Sequence, residues 1–186
     1  LLKEKLVPVA EAERVALKDA AGRILAEPLV ATRDVPPADN VAVDGYAVRF
    51  SDLVSGGETV LPIAGRATAG HPLRADAPAQ SAIRVFTGAL LPQGTDTVLM
   101  QEDCKVVNGA VTIPAGIKRG ANCREAGEDI KAGTLVLAAG RRLRAQEIGL
   151  AASLGLTSLP VYRPLRVALF STGDELREPG DGLSLG

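Results

Sequence analysis

The amino-acid sequence predicts a multi-domain α+β protein, and three observations support that prediction. Helical periodicity occurs only near residues 17–25 and 145–154. From residue 30 to residue 133, short runs with β-branched residues are interrupted by Gly and Pro, about every eight to twelve positions, as in a small antiparallel sheet or barrel. Residues 167–170 are continuously apolar, which is typical of a strand buried on both faces of a parallel sheet.

These patterns divide the chain into three units. Residues 1–29 and 134–163 are expected to form a helical domain, and residues 30–133 a small β domain inserted into it. Residues 164–186 supply the first strand of an α/β domain, which is incomplete because one strand is not a domain. Since position 1 is Leu and residues 180–186 have a turn-type composition, we expect the sequence to be a piece of a longer protein.

Two amphipathic stripes define the predicted helices. In the first helix, apolar residues follow i, i+3, i+4 spacing at Leu17, Ala20, Ala21, Ile24 and Leu25. In the second helix, the stripe consists of Ile148, Ala151, Ala152 and Leu154, and Gly155 is placed to end the helix. The small Ala faces predict that the two helices pack on each other.

Turn signals locate three features of the β region. Asn108 and Gly109 lie between two apolar runs, which predicts a type I′ hairpin over residues 105–113. Residues 84–88 and 97–100 are predicted strands, and the segment that joins them contains Pro92 and Gly94, which favour a tight turn.

Composition excludes several classes of function. The chain has 186 residues, 46% of them apolar and 23% charged, as in an ordinary globular protein. Its 21 Lys and Arg nearly balance 22 Asp and Glu, so there is no excess of basic charge for nucleic acid or a membrane surface. The longest charge-free apolar stretch, residues 148–162, is too short and too polar to span a bilayer.

Cysteine and histidine usage narrows the possible sites. Cys104 and Cys123 have neither CxxC spacing nor a neighbouring His, so they form no metal knuckle or disulfide framework, and a reducing cytoplasm fits best. The single histidine, His71, stands in a Gly-His-Pro turn. One His excludes a His-rich zinc site and disfavours a His-based catalytic triad.

Two segments of the β region could carry chemistry, although each has a purely structural interpretation. Asp44 precedes Gly45, and an Asp-Gly pair between apolar residues favours a hairpin turn. Alternatively, Asp44 presents a carboxylate from a loop anchored by Pro36 and Pro37. Thr87 either ends a strand or donates its hydroxyl to an anion.

Two later segments are also candidates. Asp129 lies in the charged loop 124–133, which is either a solvated loop or a source of carboxylates. Residues 171–175 follow the predicted buried strand, where open α/β sheets place ligands. The acids of these segments are hard oxygen ligands suited to Mg²⁺, so together they imply either a divalent cation or a cationic substrate.

Four motifs, taken in order, resemble the MoeA family of molybdopterin molybdenumtransferases, which is related to the E domain of gephyrin. They are residues 36–49 (PPADNVAVDGYAVR), 84–94 (RVFTGALLPQG), 127–130 (GEDI) and 171–176 (STGDEL). The resemblance extends from about residue 17 to the end of the sequence, and it favours the functional interpretation of Asp44. Val41 and Val43 stand where the family commonly has Ser and Met.

The resemblance implies an activity and a set of site residues. The reaction would insert molybdate into adenylated molybdopterin and release AMP, with Mg²⁺ assisting. The residues matching the family's catalytic positions are Asp44, Thr87, Asp129 and Glu175, and the three acids among them would hold the metal. The cofactor-binding residues would be Ser171, Thr172, Gly173 and Asp174.

The resemblance also implies an architecture and partners. The helical domain would be a linker domain, the incomplete domain would bind molybdopterin, and a C-terminal barrel would follow. The protein would be a cytoplasmic homodimer whose cleft lies between the β domain of one subunit and the α/β domain of the other. A protein that makes adenylated molybdopterin would supply the substrate, and this fragment alone would be inactive.

Two alternatives remain open at this point. A non-catalytic scaffold or dimerisation module could retain the same fold, but it would have no reason to keep Asp44, Thr87, Asp129 and Glu175 together. An unrelated Gly- and Pro-rich β domain with a chance Asp-Gly turn would leave these four residues far apart.

Overall fold

The computed structural model describes residues 10–182, and this part of the chain is mostly β structure. The first five strands along the chain are β1 (Ala12–Ala16), β2 (Leu29–Val30), β3 (Asn40–Val41), β4 (Gly45–Val48) and β5 (Thr59–Ala67). The following elements are β6 (Ala82–Val85), β7 (Thr97–Met100), β8 (Lys105–Val107), β9 (Ala110–Ile113), β10 (Cys123–Arg124), β11 (Leu135–Leu137), α1 (Ala145–Ser153) and β12 (Ser158–Tyr162). Short 3-10 turns lie at Leu17–Asp19, Phe50–Asp52 and Gln101–Asp103.

The predicted helical domain is wrong, although one of its two helices is confirmed. Helix α1 covers the predicted second helix, and Gly155 ends it with a φ of 79°. The predicted helix over residues 17–25 is only a 3-10 turn at Leu17–Asp19. None of the helices in residues 10–182 has the length and apolar character needed to cross a membrane.

The apolar stripe of residues 17–25 does enter a core, but through β structure. Ile24 forms a bridge with Arg142, and Leu25 forms one with Val161. Ala20 and Leu25 are fully buried, so the apolar stripe does face a core. The residues that bridge to Ile24 and Leu25 lie more than one hundred positions later in the sequence. The residues that share this core are Ala20, Leu25, Leu29, Ala31, Leu143, Ala151, Leu154, Leu159 and Val161.

Strand pairs support this first core. β1 pairs antiparallel with β12, and β2 pairs antiparallel with β11. Three residues from the segment assigned to the inserted domain, Ala31, Val35 and Ile130, belong to this core or pack against it. The core therefore draws on both ends of the described chain, while the exact domain boundaries remain a prediction.

A six-stranded sheet dominates the middle of the chain, in the order β7-β4-β6-β5-β9-β8. The predicted hairpin is confirmed as β8 and β9, where Asn108 and Gly109 have φ values of 50° and 77°. The predicted strands 84–88 and 97–100 correspond to β6 and β7, but β4 lies between them. The sheet is not wholly antiparallel, because β5 and β6 pair in parallel through the crossover of residues 68–81.

Both faces of this sheet are covered where β4 and β6 lie. One face packs a cluster that includes Ala47, Ile83 and Val85, and the other packs one that includes Tyr46, Val48 and Leu99. Every residue of β4 is consequently buried. Such burial fixes the position of the segment that immediately precedes β4, and that segment contains Asp44.

The predicted strand over residues 167–170 is wrong for the described chain. These residues form no strand, and Leu169 and Phe170 are 92% and 89% exposed. A strand needs a hydrogen-bonded neighbour, and no strand within residues 10–182 pairs with this segment. The apolar run is present in the sequence, but no other part of residues 10–182 packs over it and buries it.

Candidate functional site

Asp44 and Thr87 are in direct contact. The Thr87 backbone N–H and its hydroxyl both donate to Asp44 Oδ1, each at 2.8 Å. The Asp-Gly hairpin predicted as the structural alternative is wrong, because Gly45 opens β4 and residues 42–44 form a bend rather than a hairpin turn. The contact joins two of the four motifs, which is the opposite of what a chance Asp-Gly turn predicts.

The contact also sets the charge of the carboxylate. The Thr87 backbone N–H, then its hydroxyl, and then the positive charge of Arg84 hold the pKa of Asp44 below its usual range. Asp44 is therefore ionised at neutral pH. Its second oxygen, Oδ2, accepts no hydrogen bond from residues 10–182, so it can bind a cation or a substrate donor.

Arg84 stabilises the backbone beside this carboxylate. Its guanidinium donates to the carbonyl oxygen of Gly45 at 3.1 Å and also to the side chain of Gln101. The guanidinium carbon lies 5.0 Å from the Tyr46 ring centroid and 4.6 Å from that of Phe86. Arg84 was identified from the sequence only as part of a motif, although its position three residues before Thr87, within the predicted strand 84–88, pointed to this neighbourhood.

Strand β3 connects this pair to the charged loop 124–133. Val41 exchanges backbone hydrogen bonds with Gly88 and Ala89, and its register partner on the other side is Cys123. Through β3, the segment that carries Thr87 and the segment that begins the charged loop lie on either side of one short strand. The third motif contacts the start of the first one, where the Gly127 N–H donates to the carbonyl oxygen of Pro36 at 2.9 Å.

Asp129 is held in that loop by a basic partner. Arg124 donates to Asp129 Oδ1 at 2.6 Å and to Glu128 Oε1 at 3.1 Å. The Asp129 backbone N–H donates to the carbonyl oxygen of Val35 at 2.9 Å. Unlike Asp44, Asp129 has its carboxylate neutralised by an arginine within the same loop.

Two carboxylates that sequence analysis did not single out position the loop. Asp39 Oδ1 accepts from the backbone N–H of Ala126, and Asp34 Oδ1 from that of Ala132, both at 2.8 Å. In each contact the two residues are about ninety or more positions apart in the sequence. Local sequence gave no signal for these contacts, because both partners are backbone groups.

Within residues 10–182, no hydrogen bond joins the fourth motif to the other three. Ser171, Thr172, Asp174 and Glu175 are all exposed, and Gly173 takes a local turn in which its carbonyl accepts from Leu176 N–H at 3.2 Å. Nowhere in residues 10–182 do three His, Cys, Asp or Glu side chains come together as a metal site. The ligand set Asp44, Asp129 and Glu175 remains a prediction.

The two cysteines offer no reactive thiolate. Both are free and half-buried. Burial, with a smaller effect of nearby Asp96, raises the pKa of Cys123 to about 11, and burial also raises the pKa of Cys104. The thiols are therefore protonated at neutral pH and are poor nucleophiles and poor metal ligands.

A family comparison decides the identity of the chain. The sequence model described as "MoeA N-terminal region (domain I and II)" matches residues 1–155. The chain belongs to the MoeA family.

Individual MoeA relatives agree. The chain is 42% identical over 184 residues to a molybdopterin molybdenumtransferase of Haemophilus influenzae, covering 98% of this chain and 45% of the relative. It is 41% identical over 175 residues to the one from a Nostoc species, covering 92% of this chain and 40% of that relative. The chain thus spans less than half the length of these curated MoeA relatives.

Solved MoeA structures share the fold. A molybdopterin biosynthesis MoeA protein from Pyrococcus horikoshii OT3 superposes with a TM-score of 0.78 at 34% identity, covering 85% of this chain and 42% of that one. A second Pyrococcus MoeA structure gives a TM-score of 0.84 at 32% identity, covering 98% of this chain and 48% of that one. The mostly β architecture of the described chain is thus shared with the matching part of these MoeA structures, and the resemblance in the four motifs is confirmed at the level of the family.

Proposed function

We propose that the protein containing this chain is a molybdopterin molybdenumtransferase, which inserts molybdate into adenylated molybdopterin and releases AMP. Membership of the MoeA family and the enzyme name of its relatives support this proposal. The observation that carries it is the Asp44 carboxylate, ionised and fixed on Thr87 with one oxygen left open. The scaffold alternative is not favoured, since the relatives carry the name of an enzyme.

Asp44 fits a role as a single carboxylate ligand of Mg²⁺, because Oδ2 is open and the group is ionised. Mg²⁺ supplies Lewis-acid chemistry that neutralises phosphate and oxyanion charge when it is bound. Asp129 fits less directly, because the positive charge of Arg124 already neutralises its carboxylate, although only Oδ1 is hydrogen-bonded within the described residues. Thr87 holds Asp44 in one orientation and keeps it deprotonated, which lets the carboxylate act without reorganisation.

The remaining parts of the proposal concern residues and partners beyond this pair. Glu175 would reach the Asp44 site from the other subunit of a homodimer, and residues 171–174 would contact the pterin substrate. A separate enzyme would supply adenylated molybdopterin, and the reaction would take place in the cytoplasm. The exposure of residues 171–175 supports this arrangement, since the described chain leaves those side chains free to meet another surface.

An Asp44→Asn variant of the full-length protein tests the function. Asn keeps the size of the side chain and removes the negative charge, so molybdoenzyme activity in a cofactor-deficient host should fall by about a hundredfold or more. Asp76→Asn is the matched control. Asp76 is exposed, and its substitution removes the same negative charge outside the site.

The two variants should also have equal thermal midpoints, which separates a catalytic effect from misfolding. Wild-type activity in Asp44→Asn would overturn the proposed role of this carboxylate. Equal losses in both variants would show that net charge, rather than the site, is responsible.

A further inference from the structure

A row of basic and aromatic side chains crosses three strands of the large sheet beside Asp44. Tyr46 on β4 is the register partner of Arg84 on β6, and Arg84 is the register partner of Arg66 on β5. Phe86 follows Arg84 by two positions, and the guanidinium carbons of Arg84 and Arg66 lie 4.6 and 4.7 Å from its ring centroid. We call these four residues the arginine row.

A β-bulge brings Arg66 into this row. The register of β5 against β6 shifts between Ile63 and Gly65, so the residues after the shift point to the opposite face from the one that simple alternation predicts. Ile63 therefore shares a core face with Tyr46, and Arg66, only three positions later, joins Arg84 on that same side of the sheet. Without the bulge, Arg66 would point to the other face.

The two arginines differ in how their N–H groups are used. Arg84 is half-buried and donates to Gly45 and Gln101, so two of its donors are occupied by the protein. Arg66 is exposed, and within residues 10–182 its guanidinium has neither a hydrogen-bond acceptor nor a carboxylate partner. Two positive charges thus lie against one aromatic ring, and no acidic side chain of residues 10–182 forms an ion pair with either of them.

We propose that Arg66 and the remaining N–H groups of Arg84 bind a doubly charged tetrahedral oxyanion. Guanidinium groups match the geometry of such anions through paired N–H donors, and a dianion between them would relieve the repulsion of two adjacent cations. The site lies on the β5 side of Arg84, whereas Asp44 lies on the β4 side. Arg84 therefore separates the anion from the carboxylate and interacts favourably with both.

Two sources can supply this chemistry, namely inorganic molybdate and the phosphate group of AMP, the product that the proposed reaction releases. This assignment rests on the proposed function, because both anions are parts of its reaction. The site itself requires only the arginine row, so anion binding is measured without turnover.

Anion titration of the full-length protein provides the test, with molybdate, inorganic phosphate and AMP as separate probes in isothermal titration calorimetry. Arg66→Gln should weaken the affinity for the bound anion about tenfold, the effect of losing one charge-assisted contact, while leaving the thermal midpoint unchanged. Arg66→Lys keeps the charge but not the planar donor pair, so it should restore part of the affinity. Arg74→Gln is the matched control, since Arg74 is also exposed and its substitution removes the same positive charge.

Each outcome decides the matter. Tighter binding of molybdate than of phosphate, lost in Arg66→Gln, identifies the inorganic anion as the ligand, and tighter binding of AMP identifies the nucleotide phosphate. The proposal is overturned if none of the three anions binds at millimolar concentration, or if Arg66→Gln and Arg74→Gln weaken binding equally. The Asp44→Asn activity assay is independent of these titrations, so failure of the anion site leaves the proposed function standing.

Discussion

Gly45 shows how a single residue supports the site. A Cβ at this position would overlap the carbonyl oxygen of Leu99, because β4 lies between β6 and β7 and its backbone passes close to β7. The glycine is required by this close approach and not by a turn. Asp44 precedes it directly, so the room that Gly45 leaves also determines where the carboxylate lies.

Gly45→Ala should therefore lower the free energy of unfolding by about 1–3 kcal/mol, the range for overpacking a filled interior. Displacement of β4 should also weaken the contact between Asp44 and Thr87 and reduce activity. Urea unfolding measures the stability. Gly149→Ala is an instructive control, because Gly149 lies in α1 with nothing within 4 Å of an added Cβ. Alanine there should raise stability by about 0.5–1 kcal/mol.

The same residue marks the limit of what sequence predicts about the site. The motifs correctly directed attention to Asp44 and Thr87, whose contact the structure contains. The Asp-Gly pattern has two physical explanations, a turn or a close backbone approach, and only the distant strand β7 decides between them. Arg66 could not be predicted at all, since it enters the arginine row only through the bulge in β5.

At the scale of elements, α1 begins with a buried carboxylate shared by two arginines. Glu147 is 3% exposed, and its oxygens accept from the side chains of Arg144 and Arg141 and from the Arg144 backbone N–H at 2.9 Å. The hydrogen bonds from Arg144, supported by those from Arg141, lower the pKa of Glu147 from 4.5 to about 2. The first turn of the helix is thus closed by an ionised acid, as in a capping box.

Because this pKa is lower in the folded state, Glu147 stabilises the protein above pH 4.5 and loses that contribution as the pH falls towards 2. Glu147→Gln should lower the urea midpoint at neutral pH and flatten its fall between these pH values. Glu58→Gln, at an exposed position, is the control and should keep the wild-type acid dependence. An unchanged slope in Glu147→Gln would show that other carboxylates account for the acid sensitivity.

Short sequence patterns predicted correctly those elements that are stabilised by residues close by in the sequence. Helix α1 has its stripe, its acidic first turn and its terminal glycine within residues 144–155. The hairpin of β8 and β9 needs only its Asn-Gly turn. Residues 17–25 have an equally good stripe, but Gly22 adopts a φ of 76° and strand bridges to residues 142 and 161 replace the helix. Long-range pairing of this kind is not encoded in a periodicity of a few residues.

At the scale of the whole molecule, the described chain contains a first core built from both of its ends and two clusters that lie against opposite faces of the large sheet. Leu143 is fully buried in the first, and Ile83 is fully buried against the sheet. If residues 1–29 and 134–163 form one domain and residues 30–133 another, cavities in the two cores should have separable effects. Val35 and Ile130, which pack on the first core from the inserted segment, are where the two units would be coupled.

Hydrogen exchange of Leu143→Ala and Ile83→Ala tests this division. Each substitution removes a buried aliphatic side chain and should cost about 2–5 kcal/mol. With two domains, Leu143→Ala speeds exchange in β1, β12 and α1 and leaves β4 and β6 protected, while Ile83→Ala does the reverse. Accelerated exchange throughout the chain in both variants would instead show one cooperative unit, in which damage near the helix also loosens the strand next to Asp44. Measuring the affinity of the arginine row for anion in Leu143→Ala then reports whether that loosening reaches the site.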